Sequence, residues 1–334
     1  MPEIRQNIIT REWVIIATER AKRPEDFAKT SAERVSPPHY VPTCPFCPGN
    51  ENQTPPEVYR QPFVGPWQVR VVPNKFAALD SSAELSRNIH GLKRTISGAG
   101  IHEVIVETPE HDRVTALLSE AEMAHVLETY HRRYLAVTAD PRVAHATLFK
   151  NHGVRAGTSL EHPHSQIVGT PIIPPGVRDR MEHALRFYDE NGECIHCAVL
   201  ADELRDRQRI VAQSRDFVAF LPYAALTPFH MWITPLRHTA SFAEATPEQL
   251  SDLARLLRIV LRKVYFGLAN PDYNVTVRTP PSEARGLRYY HWYLSLIPRV
   301  TRVAGFEIGS GMFINPSLPE TSAAFLRDAP ADPA

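Results

Sequence analysis

The sequence predicts an α+β fold of two duplicated halves, with antiparallel sheets, helices packed on one face, and a sheet shared between the halves. Three observations carry this. Cys-x-x-Cys pairs stand at Cys44/Cys47 and at Cys194/Cys197. Each pair is followed by short runs rich in β-branched and aromatic residues, which fit a pleated, half-buried surface. Each half then holds one long stretch with apolar residues at three and four spacing, the pattern of a helix with one buried stripe.

In chain order, strands are expected at Val69–Val72 and Val104–Val106, and again at Phe217–Leu221 and Met231–Ile233. Helices are expected over Ser119–Thr138 and Thr246–Phe266, each opening on a hydroxyl residue able to cap the first turn. Each half closes with a strand tied to histidine: Ala146–Lys150 leading to His162, and His291–Pro298. Strand runs with a single long helix per half favour segregated α+β packing over alternating parallel units. Residue identity between the halves is faint, but the order of features repeats. Proline clusters near residues 37–48 and 171–175 punctuate the chain. The expected units are therefore 1–175 and 176–327, with residues 328–334, which are Pro, Ala and Asp, as a disordered tail.

Hydrophobic residues make up 43% of the 334 and charged residues 22%, so a packed core is expected and disorder is not. Lys plus Arg equals Asp plus Glu at 37 each, so no global field draws the chain to nucleic acid or an anionic membrane. Any phosphate site must be local. No apolar run approaches the roughly 20 residues a spanning helix needs, and Met1–Ile9 lacks a leader pattern, so a cytoplasmic protein is expected.

All four cysteines fall in the two pairs, too few for a disulfide framework, and Cys44 and Cys47 lie in a Pro-rich stretch unlike a redox helix start. The pairing points to metal. Two thiolates and two imidazoles form the tetrahedral set that zinc favours, and the duplication nominates the imidazoles. They are His111 and His162 in the first half, and His238 and His291 in the second. His111 to His162 spans 51 residues and His238 to His291 spans 53, which supports two homologous sites. His102 and His230 compete for the same roles, and His196 is expected in a solvated loop. With four protein ligands each zinc site would be closed and structural.

Residues 151–166 have the make-up of a phosphate site. Gly153 and Gly157 allow close backbone approach, and Thr158, Ser159 and Ser165 are expected to donate to phosphoryl oxygens. Positions 162, 164 and 166 alternate, so on an extended strand they share a face. His162 completes the zinc set and leaves His164 free to attack phosphorus, provided its other ring nitrogen donates to a fixed acceptor. Gln166 can donate to a non-bridging oxygen as charge builds there. In the second half the matching pair is His291 and Tyr293, so that half keeps a ligand and loses the nucleophile.

The run His162-Pro163-His164-Ser165-Gln166 resembles the active-site signature of galactose-1-phosphate uridylyltransferases, a branch of the histidine-triad superfamily in which Gln replaces the third histidine. Further matches are Trp13–Pro24, Cys44–Cys47, Asn74–Ala78, Pro109–His111 and Phe306–Gly311. The resemblance implies two histidine-triad-like halves and ping-pong transfer through a nucleotidyl-His164 intermediate. It further implies that Arg20 and Arg23 contact nucleotide or sugar phosphate, that Asn151, Gly157, Ser159 and Gln166 contact the phosphoryl group, and that Asn74 and Phe76 lie on the nucleoside side. Glu307 is a further expected substrate contact, and a homodimer is expected.

The main reading is a UDP-glucose:hexose-1-phosphate uridylyltransferase, with a nucleotide sugar and a sugar 1-phosphate as substrates. Ser165 in place of Gly and the second Cys-x-x-Cys look closer to a plant-type branch that acts as an ADP-glucose phosphorylase, transferring AMP to phosphate. That is the alternative. A histidine-triad hydrolase would need an acid that Gln166 cannot supply, and a non-enzymatic zinc module would leave His164 unexplained.

Overall fold

The computed structural model describes residues 2–18, 27 and 37–332. A first hairpin, β1 (Glu3–Gln6) and β2 (Trp13–Ile16), precedes the first half. That half runs β3 (Tyr59–Gln61), β4 (Val69–Pro73), β5 (Arg87–His90), β6 (Lys93–Ile96), β7 (Ile101–Val106), α1 (Glu120–Thr138), β8 (His145–His152) and β9 (His164–Thr170). Two helices follow, α2 (Pro175–Asn191) and α3 (Ile195–Asp206). The second half runs β10 (Ile210–Gln213), β11 (Phe217–Phe220), β12 (Met231–Pro235), α4 (Pro247–Gly267), β13 (Tyr273–Arg278) and β14 (Tyr293–Pro298). The chain ends with α5 (Gly305–Ser310), β15 (Phe313–Asn315), which joins β2 in parallel, and α6 (Pro319–Asp328).

Ten strands form one antiparallel sheet in the order β10-β11-β12-β14-β13-β8-β9-β7-β4-β3. The order is palindromic. Read inward from either edge, each half supplies two hairpin strands, then the strand before its long helix, then its last two strands in exchanged order. The halves meet where β13 pairs with β8, Asn274 opposite Asn151. Duplication and a shared sheet, both expected from sequence, are thus visible in the topology.

The long helices start where hydroxyl caps were expected. Ser119 and Glu122 form a capping box on α1, and Thr246 and Gln249 form one on α4, each satisfying two orphan N–H groups. Both helices lie on one face of the sheet, where Met123, Leu127, Leu253 and Val260 pack on Ile105, Leu148, Ile233 and Leu296. The expectation of helices on one face needs a correction. The second-half strands turn Val218, Phe220 and Trp232 to the opposite face, and α2 and α3 cover them with Ala184, Ile195 and Leu200. His196 is not in a solvated loop. It is buried on α3, ringed by Trp232, Tyr290 and Tyr293.

Over the first half, among the described residues, that opposite face carries the Cys44–Cys47 knuckle, packed on Val72, Val104 and Val106, and the first turn of α2 over the start of β8, and the stretch between them around His164 and Gln166 is free for a site. Residues 329–332, grouped with the disordered tail by composition, lie along α4. Lys263 Nζ donates to the Ala329 carbonyl at 2.8 Å, and Arg262 pairs with Asp332 at 2.9 Å. Among the described residues no helix is long and apolar enough to cross a membrane.

Candidate active site and metal centres

Strand alternation sets the site. On β9, His164 and Gln166 face the open side while Ser165 and Ile167 face the helices. His164 Nδ1 donates to the His162 carbonyl at 2.8 Å, which fixes the tautomer and leaves Nε2 with its lone pair. Burial lowers the His164 pKa, with the Lys150 charge adding to it, so the ring is neutral at pH 7.

Beneath the strand lies a charge network that sequence reading missed. Glu107, just past β7, is buried and receives Lys150 Nζ at 2.8 Å, Thr115 Oγ1 at 2.7 Å and Tyr130 OH at 2.6 Å. Burial alone would raise this carboxyl, but Lys150 and the hydroxyl donors bring it down to about 2. Lys150 Nζ also donates to the His164 carbonyl at 3.2 Å, tying the backbone of His164 to the network. Ser165 belongs here, with Oγ 2.5 Å from Glu107 Oε1, and it therefore faces away from any phosphate, contrary to expectation. Thr158 is also engaged, donating to the Leu160 carbonyl at 3.0 Å, whereas Ser159 stands exposed on the loop.

Two amides have their oxygens tethered and their NH₂ groups left to donate. Ala78 N–H donates to His102 Nδ1 at 3.1 Å, so the ring proton sits on Nε2 and is given to Gln166 Oε1 at 2.8 Å. Asn74 Nδ2 donates to the same oxygen at 3.4 Å. Asn151 Oδ1 accepts from Asn274 Nδ2 at 2.7 Å, and Arg299 Nε holds Asn274 Oδ1 at 2.5 Å in turn. Gly157, at φ +92°, ends the single turn Val154–Ala156, whose Ala156 carbonyl accepts a second bond from Asn274 at 2.9 Å. A left-handed residue there suits glycine. His102 thus orients the Gln166 amide. His102→Ala is expected to slow nucleotidyl transfer about tenfold, less than the about 10²- to 10³-fold for loss of a transition-state donor itself. Rapid-quench rates that fall while nucleotide-sugar affinity stays constant would support this role, and a matched fall in affinity would refute it.

Asn74 reaches the site, whereas Phe76, held by its N–H to Asn74 Oδ1 at 2.9 Å, is 85% exposed on the adjoining loop. Glu307 accepts from the Ala304 N–H at 2.9 Å and caps α5, and no bond joins it to the His164 loop among the described residues. Arg20 and Arg23 lie outside the described residues.

Both Cys-x-x-Cys pairs meet the histidines that duplication nominated. Cys44, Cys47, His111 and His162 converge, as do Cys194, Cys197, His238 and His291, with each set's ligand atoms within 4.8 Å of one another. Sulfur to Nδ1 distances run from 3.2 Å for Cys197–His238 to 3.8 Å for Cys44–His162. A tetrahedral ion with zinc-like bond lengths sets that edge at about 3.6 Å, so the spacing fits. The tautomers fit too. His162 Nε2 donates to the Thr108 carbonyl at 2.7 Å and His238 Nε2 to the Leu287 carbonyl at 2.8 Å, leaving Nδ1 for metal. His102 and His230 lie outside both clusters. His230 Nε2 meets Ser295 Oγ at 3.0 Å, the counterpart of His102 with Gln166.

The first Cys₂His₂ cluster also braces His164. Phe46, between its two cysteines, has its ring centroid 5.5 Å from that of His164. In the second half Tyr293 fills the equivalent place, and its ring packs on Trp232 with centroids 4.5 Å apart.

The Galactose-1-phosphate uridyl transferase, N-terminal domain family model matches residues 1–174. The ADP-glucose phosphorylase of Arabidopsis thaliana is 34% identical over 332 residues, 98% of this chain and 93% of that protein. The galactose-1-phosphate uridylyltransferase of Thermotoga maritima is 26% identical over 98% of both chains. A crystal structure of an Arabidopsis thaliana ADP-glucose phosphorylase with bound ADP-glucose has a TM-score of 0.82 at 31% identity, covering 98% of each chain. With a family model spanning more than half the residues and a relative aligned along nearly all of them, the chain belongs to the galactose-1-phosphate uridylyltransferase family and is a nucleotidyltransferase.

Proposed function

We propose that this chain transfers the adenylyl group of ADP-glucose to inorganic phosphate through an adenylyl-His164 intermediate. The observation that carries the reaction type is the 2.8 Å bond from His164 Nδ1 to the His162 carbonyl, which leaves Nε2 as the nucleophile. Nε2 attacks the α-phosphorus in line, the bond to the bridging oxygen breaks, and glucose 1-phosphate leaves with that oxygen. A phosphate oxygen then attacks the same phosphorus, the P–N bond breaks, and ADP leaves while Nε2 regains its lone pair. The amides of Gln166 and Asn151 donate to the non-bridging oxygens as charge shifts onto them.

Adenylyl rather than uridylyl transfer is supported by the greater identity to the ADP-glucose phosphorylase, 34% against 26% for the uridylyltransferase. Uridylyl transfer from UDP-glucose to a hexose 1-phosphate, the main reading from sequence, is the second reading and uses the same nucleophile. In either case Asn74 and Phe76 serve the nucleoside, Gly157 and Ser159 the phosphoryl group, and Arg20, Arg23 and Glu307 the phosphates and sugar, in a homodimer. Incubation with ADP-glucose or UDP-glucose separately, followed by intact-mass measurement, tests the choice. An AMP-sized addition from ADP-glucose alone is expected, and a UMP-sized addition alone would reverse the assignment.

Zinc is the ion proposed for both Cys₂His₂ sets, where it would fix the Cys44–Cys47 knuckle against β7 and β9 and α3 against β14. With four protein ligands it supplies cross-linking and no catalytic water. Elemental analysis should return two zinc ions per chain, and a metal-free active protein would remove zinc from the account.

A further inference from the structure

On the face of the sheet that carries Gln166, Phe149 of β8 pairs with Gln166 on one side and with Thr276 of β13 on the other. Beyond Phe149, away from His164, the two central strands border a cavity of about 170 Å³ under the first turn of α2. His145 and Thr147 of β8, Thr276 and Arg278 of β13, and Arg180 of α2 line it.

The groups around this cavity are cationic or donating, and two of them have a buried nitrogen without a hydrogen-bond partner. Neither Arg180 nor Arg278 forms an ion pair among the described residues, and Arg180 Nε is buried with no hydrogen-bond partner. His145 is 4% exposed, and its Nδ1 is unpartnered as well. The Arg180 guanidinium folds back over the start of its own helix, where a Cβ on Gly176 would lie 3.5 Å from Nη1. That end of a helix carries partial positive charge and unsatisfied N–H groups, so a cation placed there is unfavourable unless an anion sits between them. A second guanidinium from β13 compounds the repulsion. One oxyanion would satisfy both arginines, the imidazole, the two threonine hydroxyls and the helix terminus together. The volume sets the size of the guest: drug-sized ligands occupy pockets of about 300–1,000 Å³, so this cavity takes an anion and not a nucleotide.

We propose that this cavity is a second oxyanion site, separated from the catalytic one by Phe149, that binds a phosphate-sized dianion, either inorganic phosphate or the phosphate of a monoester. It does not depend on which nucleotide the catalytic site uses. The test is equilibrium dialysis of the full chain against labelled inorganic phosphate, repeated with glucose 1-phosphate. Arg180→Leu and Arg278→Leu should each weaken one binding site per chain about tenfold or more, as expected for losing a charge-assisted hydrogen bond. Asn151→Ala should leave that site intact. A loss seen with both probes assigns the phosphate group in general, and a loss with inorganic phosphate alone assigns the free ion. Arg180 forms no ion pair among the described residues and interacts with the Tyr290 hydroxyl, so its variant leaves the rest of the fold's polar network in place and keeps the test open if Arg278→Leu fails to fold. Phosphate binding that is unchanged in Arg180→Leu, or that is lost completely in Asn151→Ala, would overturn the proposal.

Discussion

Replacing His164 with glycine is expected to lower nucleotidyl transfer about 10⁴- to 10⁶-fold, the range for removing a covalent nucleophile from a preorganised site. The nucleotidyl adduct should disappear from the mass spectrum. The fold should persist, because position 164 pairs with Val106 through backbone bonds that glycine can make, and because the metal cluster uses His162. Circular dichroism and metal content therefore stay constant while single-turnover rates collapse. An adduct that survives would move the nucleophile elsewhere. The pH dependence follows from burial. The folded pKa of His164 lies below its ordinary 6.5, so in the native chain adduct formation should fall to half its plateau only at a pH below that value. A rate already halved at pH 6.5 would contradict a neutral buried ring.

Glu107→Gln is expected to cost about 3–5 kcal/mol of stability, the penalty for leaving a buried charge without its partner, here the Lys150 ammonium. The shift gives a similar figure: moving a carboxyl from 4.5 to about 2 corresponds to ~3 kcal/mol. The sign is that of a depressed acid. Its stabilisation is complete above about pH 4.5 and is lost as pH falls toward 2. Urea melts across that window should show the native chain weakening, while Glu107→Gln begins weak and changes less. Equal stability of the two proteins at pH 7 would show that Lys150 is solvated. Transfer rate should fall as well, because Lys150 also holds the backbone carbonyl of His164.

Much of the site was legible because it obeys local or repeated rules. Ser119 and Thr246 marked their helix starts by side-chain chemistry alone, and the recurrence of Cys-x-x-Cys singled out His111, His162, His238 and His291 from fifteen histidines. The alternation that grouped residues 162, 164 and 166 also placed Ser165 on the other face, so its assignment to phosphate contradicted the same rule. Glu107 could not be found from its neighbours in sequence, because its partners come from α1, β8 and β9. One signal pointed to it. Lys150 occupies an inward position in the alternation Ala146, Leu148, Lys150, and a lysine in such a place requires a buried acid. The Asn274–Asn151 and His102–Gln166 bonds join residues 123 and 64 apart, and nothing in either neighbourhood announces them.

The seam where β13 lies against β8 makes the halves unequal partners. The half that carries Tyr293 at the place of His164 lends Asn274 to aim Asn151, and it shields the flank of β8 from bulk water. A fragment stopping near residue 175 would lose that amide and present an eight-residue strand with unpaired N–H and C=O groups, a template for joining other chains. The second repeat therefore serves as the wall of the first.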